Sequence, residues 1–157
     1  MKIKQEKNNM HLQNLLGIKM SSTLLVMKRL LVKNFEQNKP GINFEEWINL
    51  LPLLNEERLT QKEFSNILGK DKTTISRLIS TWEKKGLVKR KLNPNDGRAV
   101  RLTPTEKAMR LHRLAEPMVV NMDEVFKSGL SKNELILFWK FLDKIQTRVK
   151  QELSSES

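Results

Sequence analysis

The sequence predicts a mainly α-helical chain with one small β-hairpin, a fold of the α+β class. Over most of the 157 residues, apolar side chains recur three and four positions apart, the period of a helix with one covered face. Residues 87–92 and 99–102 instead alternate in steps of two, with the turn signals Asn-Pro and Asp-Gly between them. Two short helical segments joined by a glycine-containing turn precede this hairpin. These observations predict a winged helix-turn-helix at residues 42–102, flanked by longer terminal helices.

The first two helices are marked by a break and a cap. The first is predicted over residues 12–35, and the Pro-Gly pair of the following turn ends it. Asn43 and Glu46 have the spacing of a capping box, in which each side chain bonds the other residue's backbone amide. They open a second helix with predicted inward-facing residues at Phe44, Trp47, Ile48, Leu51 and Leu54.

The predicted helix pair follows. Thr60 and Glu63 repeat the capping-box spacing and start its first helix. This helix is predicted to end at Gly69, because glycine tolerates the left-handed backbone common at helix ends. Asp71 caps the next helix, which stops at Gly86. The first helix is predicted to bury Phe64, Ile67 and Leu68.

Two more helices are predicted after the hairpin. The motif Thr-Pro-Thr-Glu at residues 103–106 places Thr103 at a cap, proline at the first helical position and glutamate at the third. Ser131 and Glu134 cap the last helix. In that helix the spacing of a coiled-coil seam is found at Leu135, Phe138, Leu142, Ile145 and Val149.

The apolar seam has two interpretations. Some of it must be ordinary core within one subunit. Two long terminal helices with wide apolar stripes, separated in sequence by a compact basic module, also predict a homodimer interface, which includes the seam residues and Leu15 and Leu16 of the first helix. The dimerisation helices are accordingly placed at residues 10–38 and 104–153.

The composition limits the classes of function. The 29 Lys and Arg against 18 Asp and Glu give a net charge of +11, so a polyanion is the expected partner, nucleic acid first and an anionic membrane surface second. The absence of cysteine excludes disulfides and thiolate metal sites. No stretch approaches the ~18 apolar residues of a membrane span and no secretory signal is present, so we expect a cytoplasmic protein that does not enter membranes.

Sequence patterns of catalysis are not found. There is no Ser-His-Asp or Cys-His arrangement, no glycine-rich phosphate loop and no metal-ligand cluster, and the chain has 2 histidines, His11 and His112. We therefore expect no enzyme activity, no cofactor and no metal.

The second helix of the pair divides into two faces when its residues are spaced at about 100°. Ile75, Leu78, Ile79 and Trp82 fall in one sector and are predicted to be buried. The opposite face holds hydroxyls and cations without a carboxylate, and its predicted major-groove contacts are Thr73, Thr74, Ser76, Arg77, Ser80 and Lys84. Arg77 can bond guanine O6 and N7 bidentately, and the hydroxyls can meet base edges, thymine methyls or phosphates.

The hairpin carries a second basic cluster, with predicted wing contacts at Arg90, Lys91, Asp96 and Arg98. A narrow minor groove attracts arginine, and Asp96 is close enough in sequence to orient the Arg98 guanidinium before binding. Residues 60–102 contain 11 Lys and Arg against 4 Asp and Glu, a net +7 of the chain's +11. The charge is therefore concentrated where the motif lies, which favours DNA binding over a merely solvated surface.

Other functions fit parts of this pattern. A non-specific architectural nucleic-acid-binding protein would share the charge but lack half-site spacing. A winged helix that binds only protein is disfavoured by the cationic outer face. RNA-binding sheets usually expose stacking aromatics, and the hairpin has none.

Residues 59–107, which include the Asp-x-Arg pattern at 96–98, resemble the MarR family of bacterial transcriptional regulators, as does the Trp-bearing segment at 44–47. The flanking helices match in order and length, so we describe residues 1–157 as a single MarR-like chain. The resemblance implies a homodimer with interleaved terminal helices, typically a repressor that binds a short inverted repeat until a ligand or oxidant changes the spacing of its two DNA-binding units. The thiol-oxidation mechanism of one branch is excluded because cysteine is absent.

The resemblance also assigns roles to individual residues. Carried over by position, Thr73, Thr74, Ser76 and Arg77 would contact the major groove, and Arg98 the minor groove. It further implies a small-molecule effector, with candidate crevice residues Trp47, Met20, Met27, Met118 and Met122. Ordinary core is the alternative role for each of these five.

Overall fold

The structure, a computed structural model, describes residues 12–56, 59–93 and 96–155, with the backbone alone between 92 and 99. Its helices are α1 (Leu16–Asn38), α2 (Phe44–Asn55), α3 (Gln61–Leu68), α4 (Lys72–Lys84), α5 (Glu106–Lys127) and α6 (Lys132–Ser155). Its strands are β1 (Leu59–Thr60), β2 (Val88–Asn93) and β3 (Asp96–Pro104). They form an antiparallel sheet in the order β1-β3-β2. The predicted class, mainly helical with a small β wing, is confirmed.

The chain divides into two units within α5. The first unit ends at Val119 and contains α1 to α4 and the sheet, and the second runs from Val120 and contains α6. None of the described helices is long and apolar enough to cross a membrane.

The core of the first unit joins α3 and α4 to the sheet. Phe64 and Trp82 are fully excluded from solvent, and their ring centroids lie 5.9 Å apart. Leu102 of β3 and Leu50 and Leu53 of α2 are equally buried. Since each fully buried side chain of this kind contributes roughly 1.5–3 kcal/mol, the core holds α4 against the sheet as one body.

Two details of the predicted core were wrong. In α2 the buried stripe runs through Leu50 and Leu53, while Ile48 is 43% exposed, because contacts with α1, α3 and β3 select a sector beside the predicted one. Leu51 and Leu54 are partly buried. In α3, Phe64 is buried but Ile67 is 50% exposed, since a helix of only two turns covers a narrow sector.

Two of the predicted capping boxes are confirmed. The Thr60 amide donates to Glu63 Oε2 at 2.7 Å, and the Glu63 amide donates to Thr60 Oγ1 at 3.2 Å. The Thr60 amide, and then its hydroxyl, lower the pKa of Glu63. Ser131 and Glu134 bond in the same way.

The capping box at Asn43 forms only in half. The Glu46 amide donates to Asn43 Oδ1 at 2.8 Å, as predicted. The Glu46 carboxylate does not bond back, because it pairs with Lys85, which lies 39 positions further along the chain. A contact distant in sequence therefore replaces the local one.

The predicted cap of α5 at Thr103 was wrong, because β3 continues through Thr103 and Pro104, paired with Lys89 and Val88. Thr105 is the actual cap. Its Oγ1 accepts from the Ala108 amide at 3.2 Å and donates to the Gly86 carbonyl at 2.6 Å. The extension of the sheet ladder moved the start of the helix by two residues.

The last helix exposes most of its apolar side chains. No residue of α6 is fully buried, and the exposed fractions of Phe138, Trp139 and Phe141 are 48%, 50% and 55%. Within the predicted seam Leu135, Leu142 and Ile145 are partly buried, and Val149 is 51% exposed.

Replacing each of the two threonines by alanine tests which of them caps α5. Thr105→Ala removes the cap and the tie to Gly86, so we expect the free energy of unfolding to fall by about 0.5–2 kcal/mol. Thr103→Ala is the matched control and should change it by less than about 0.5 kcal/mol. Urea unfolding followed by tryptophan fluorescence measures both, and a larger loss at Thr103 would contradict the assignment.

Candidate nucleic-acid interface

Helix α4 places its two faces as predicted. Ile75, Ile79 and Trp82 are fully buried and Leu78 is partly buried. On the opposite face Thr73, Thr74, Arg77 and Lys84 are exposed, and Ser76 and Ser80 are half-buried. Since the buried face anchors the helix, the hydroxyl and cationic face points towards solvent.

The N-terminus of α4 has a carboxylate cap. Asp71 Oδ1 accepts from the Thr74 amide at 2.9 Å, and Asp71 Oδ2 accepts from the Thr74 hydroxyl at 2.6 Å. The hydroxyl bond, followed by the amide bond, lowers the pKa of Asp71 below its ordinary value of 3.8. Because the hydroxyl proton of Thr74 is engaged, its oxygen can only accept from a ligand. A base amino group, which is a donor, therefore suits the Thr74 oxygen better than a phosphate, which only accepts.

The C-terminus of α4 leads directly into the wing. Gly86 has φ +70°, its amide donates to the Glu83 carbonyl at 2.9 Å, and the Leu87 amide donates to the Trp82 carbonyl at 2.8 Å. These bonds form a Schellman motif, in which a left-handed residue ends the helix. Lys107 Nζ donates to the Lys85 carbonyl at 2.7 Å. The helix end is thus tied to both the wing and α5.

Three of the four acidic residues of this basic segment are engaged internally. Of the four in residues 60–102, Glu63 caps α3, Asp71 caps α4, and Glu83 pairs with Arg90 at 2.6 Å. The side chain of the fourth, Asp96, lies outside the described residues. Cations and hydroxyls consequently dominate the outward surface.

The sheet separates the wing cations onto two faces. Arg90 is opposite Leu102 in the register, and Leu102 is fully buried, so Arg90 lies on the helix-facing side, where it pairs with Glu83. Lys91 is opposite Arg101 and belongs to the other face. Lys89 shares that face and is exposed, as is Lys91.

The wing tip is described only in part. Asp96 and Arg98 lie on β3, and their side chains are outside the described residues, as is the turn at 94–95. The predicted orientation of Arg98 by Asp96 therefore stays a prediction.

The five residues predicted to line an effector crevice have different surroundings. Trp47 is core: its ring stacks on Phe44 and on His112, with centroids 6.5 and 5.8 Å away. Met118 packs against that core, Met20 is 38% exposed and Met27 is half-buried. Met122 belongs to the second unit.

The first unit has a cleft that the sequence did not indicate. Its volume is about 290 Å³, and its lining includes Phe35, Ile42 and Phe44, with Glu36 and Lys39 among the other residues. None of the five predicted crevice residues lines it.

Two ion pairs were also missed by sequence reasoning, Lys85–Glu46 and Arg90–Glu83. The first joins a residue of α2 to the residue that follows the end of α4, and no local pattern indicates it. The second joins residues seven positions apart on two different elements, and only the strand register shows that they face each other.

Comparison with known proteins finds similarity to one family. The sequence pattern of the MarR family matches residues 41–99. The chain is 32% identical over 96 residues to the uncharacterized HTH-type transcriptional regulator YdcH of Bacillus subtilis, covering 61% of this chain and 62% of that protein's length. It therefore spans about three fifths of that relative.

Solved structures share the fold at lower identity. The MarR protein of Peptoclostridium difficile DA00132 superimposes with a TM-score of 0.74 at 23% identity, covering 92% of each chain. For apo wild-type MarR of E. coli the TM-score is 0.70 at 21% identity, covering 83% of this chain and 96% of that one. For PcaV of Streptomyces coelicolor in complex with its natural ligand it is 0.67 at 22% identity, with 87% and 94% covered. These likenesses confirm the predicted fold.

The Asp71 cap makes the stability of the chain depend on pH. Because the pKa of Asp71 is lowered in the folded state, its stabilisation is present above the ordinary value of 3.8 and is lost as the pH falls through the folded value. Asp71→Asn keeps a neutral cap at every pH. The urea midpoints of the wild type and of this variant are measured at pH 6 and at pH 3. We expect the midpoint of the variant, relative to that of the wild type, to be higher at pH 3 than at pH 6. An equal difference at both pH values would contradict an ionised cap.

Proposed function

We propose that the chain is a member of the MarR family and acts as a sequence-specific DNA-binding transcriptional regulator of the bacterial cytoplasm. In this proposal it is a homodimeric repressor that binds an inverted repeat and is released by a small-molecule effector. The observation that carries the proposal is the outward face of α4, which has cations and hydroxyls opposite a fully buried face.

The chemistry of this face fits the major groove. Arg77 is exposed, and its guanidinium can bond both acceptors of guanine. Thr74, as an acceptor, complements adenine or cytosine amino groups. Lys84 at the far end of α4 is exposed and can neutralise a phosphate. In this role helix α4 is the recognition helix.

The exposed face of the wing supplies cations that require no base sequence. Lys89 and Lys91 of β2 lie on that face together with Arg101 of β3. Contacts of lysine with phosphate position a protein on the duplex without selecting sequence. The assignment of Arg98 to the minor groove rests on the family resemblance.

The exposed helix α6 supports the homodimer. Phe138, Trp139 and Phe141 are about half exposed in the isolated chain, and soluble monomers rarely leave such large apolar patches open. A second copy with the same helix would cover them. Two-fold pairing places two recognition helices in successive major grooves about 34 Å apart, so an inverted repeat is the matching site.

Release by an effector rests on the resemblance and on one relative. PcaV of Streptomyces coelicolor was solved with its natural ligand. A ligand weakens DNA binding only if it binds one arrangement of the dimer better than the other. A repressor of this kind leaves its site when the two recognition helices no longer match the groove spacing.

Selection of binding sites from random duplexes, followed by titration at near-physiological salt, tests the main proposal. An inverted repeat should emerge and bind at least about 10³-fold more tightly than a scrambled duplex. Equal affinity for both would instead support an architectural nucleic-acid-binding protein.

Arg77→Ala tests the role of the recognition helix. We expect a loss of about 1–3 kcal/mol on the selected site, with relaxed preference at one base pair, because a bidentate guanine contact disappears. Arg110→Ala, an exposed arginine of α5, is the matched control. An equal loss of affinity on scrambled DNA would mean that Arg77 touches only phosphate.

Leu142→Asp tests the dimer. A carboxylate in the seam cannot be buried unpaired without a large cost, so we expect monomers in sedimentation velocity and loss of binding to the inverted repeat together. Thr147→Asp, on the opposite face of α6, introduces the same charge as a control. A Leu142→Asp protein that sediments as a dimer would refute the seam.

A further inference from the structure

We propose that Glu83 is a positioning residue for DNA recognition, because its ion pair with Arg90 fixes the wing relative to the recognition helix. The inference rests on the proposed function and deepens it. Arg90 then serves to hold the wing in place, and the cations that reach phosphate are those of the opposite face of the sheet.

The geometry of the pair joins the two DNA-binding elements. Arg90 Nη1 lies 2.6 Å from Glu83 Oε2, and the two side chains are 33% and 31% exposed. Glu83 lies in the last turn of the recognition helix, and Arg90 lies on β2, the edge strand next to β3. A charge-assisted bond of this length is directional, so it restricts how the strand can rotate against the helix.

The other ties between these elements lie nearer the junction. The Schellman motif at Gly86 and the bond from the Thr105 hydroxyl to the Gly86 carbonyl fix the start of β2. Farther along β2, the hydrogen bond to the recognition helix among the described residues is the one that Arg90 donates to Glu83. At about 3.3 Å per residue, Asn93 lies roughly 10 Å beyond Arg90, so a small rotation at Arg90 displaces the end of the strand appreciably.

The position of Glu83 is unfavourable unless the carboxylate has a structural role. A negative charge in the last turn opposes the helix dipole, and the only basic residue of that turn is Lys84. A carboxylate near the DNA-binding face also repels phosphate. Both costs are offset when Glu83 is held by Arg90, which removes one acidic group from the surface at the same time.

A positioning role and a purely electrostatic role of Glu83 make different predictions for Glu83→Gln. If Glu83 only repelled DNA, its removal would raise the affinity for the selected inverted repeat and for its scrambled version equally. Under the positioning role, the freed Arg90 strengthens scrambled binding while the wing loses its orientation, so the ratio of the two affinities should fall about two- to fivefold, the range of a partly exposed ion pair. Glu56→Gln, the same change at an exposed position at the end of α2, should leave the ratio unchanged.

The partner residue provides the second arm. Arg90→Gln should lower the ratio by a similar factor, with little change in the slope of log affinity against log salt. The charge-reversed double variant, Glu83→Arg with Arg90→Glu, should restore most of the ratio. The wild type and the four variants are assayed by fluorescence anisotropy at graded salt, after urea midpoints confirm that they are folded.

Each outcome decides the question. For Arg90→Gln, the slope of log affinity against log salt could fall in magnitude by about 0.9, with equal losses of affinity on both duplexes. That result would show that Arg90 contacts a phosphate and would overturn the inference. An unchanged ratio in both single variants, or a double variant no better than the worse single one, would overturn it as well. If the wild type binds the inverted repeat and the scrambled duplex equally well, the proposed function itself is wrong. That result is distinct from a failure of the positioning role.

Discussion

The complete burial of one face of α4 is the constraint on which the rest of the structure depends. Ile75, Ile79 and Trp82 have no exposed surface, and the helical period then leaves only one orientation for the residues opposite them. Arg77 is exposed because it lies on the face of α4 opposite these buried residues. The surface chemistry of this protein is thus set by its core, and the ring of Phe64, 5.9 Å from that of Trp82, links the two helices of the pair.

The acidic residues show how a basic surface is compatible with a folded domain. Capping requires oxygen acceptors at helix N-termini, and carboxylates supply them where Glu63 and Asp71 lie. Glu83 and Glu46 instead hold elements together through Arg90 and Lys85. In this way the acids stabilise the fold at positions where their charge is neutralised by nearby donors, and cations outside these pairs, such as Arg77 and Lys91, stay exposed.

The sequence was sufficient where the interacting groups are neighbours along the chain. The boxes at Thr60 and Ser131 formed because their partners lie three residues away, and no other donor among the described residues bonds these two glutamates. The sequence was insufficient where residues far apart along the chain determine the contacts. Lys85 draws the Glu46 carboxylate away from Asn43, and the β2 ladder extends β3 past Thr103. Likewise, the choice between Ile48 and Leu50 depends on which elements surround α2, which periodicity alone does not specify.

The same distinction applies to function. The residues that supply charge and hydrogen-bonding groups can be identified from the sequence, because exposure follows from helical period. The angle between the recognition helix and the wing cannot, because it depends on Gly86, on Thr105 and on a strand register that places Arg90 opposite Leu102. Affinity for a polyanion scales with the number of cations, whereas selection of a site requires that two elements meet two grooves at once. If the chain binds DNA as proposed, its specificity therefore resides in the junction between α4 and β2, because charge alone would produce a strong but indiscriminate binder.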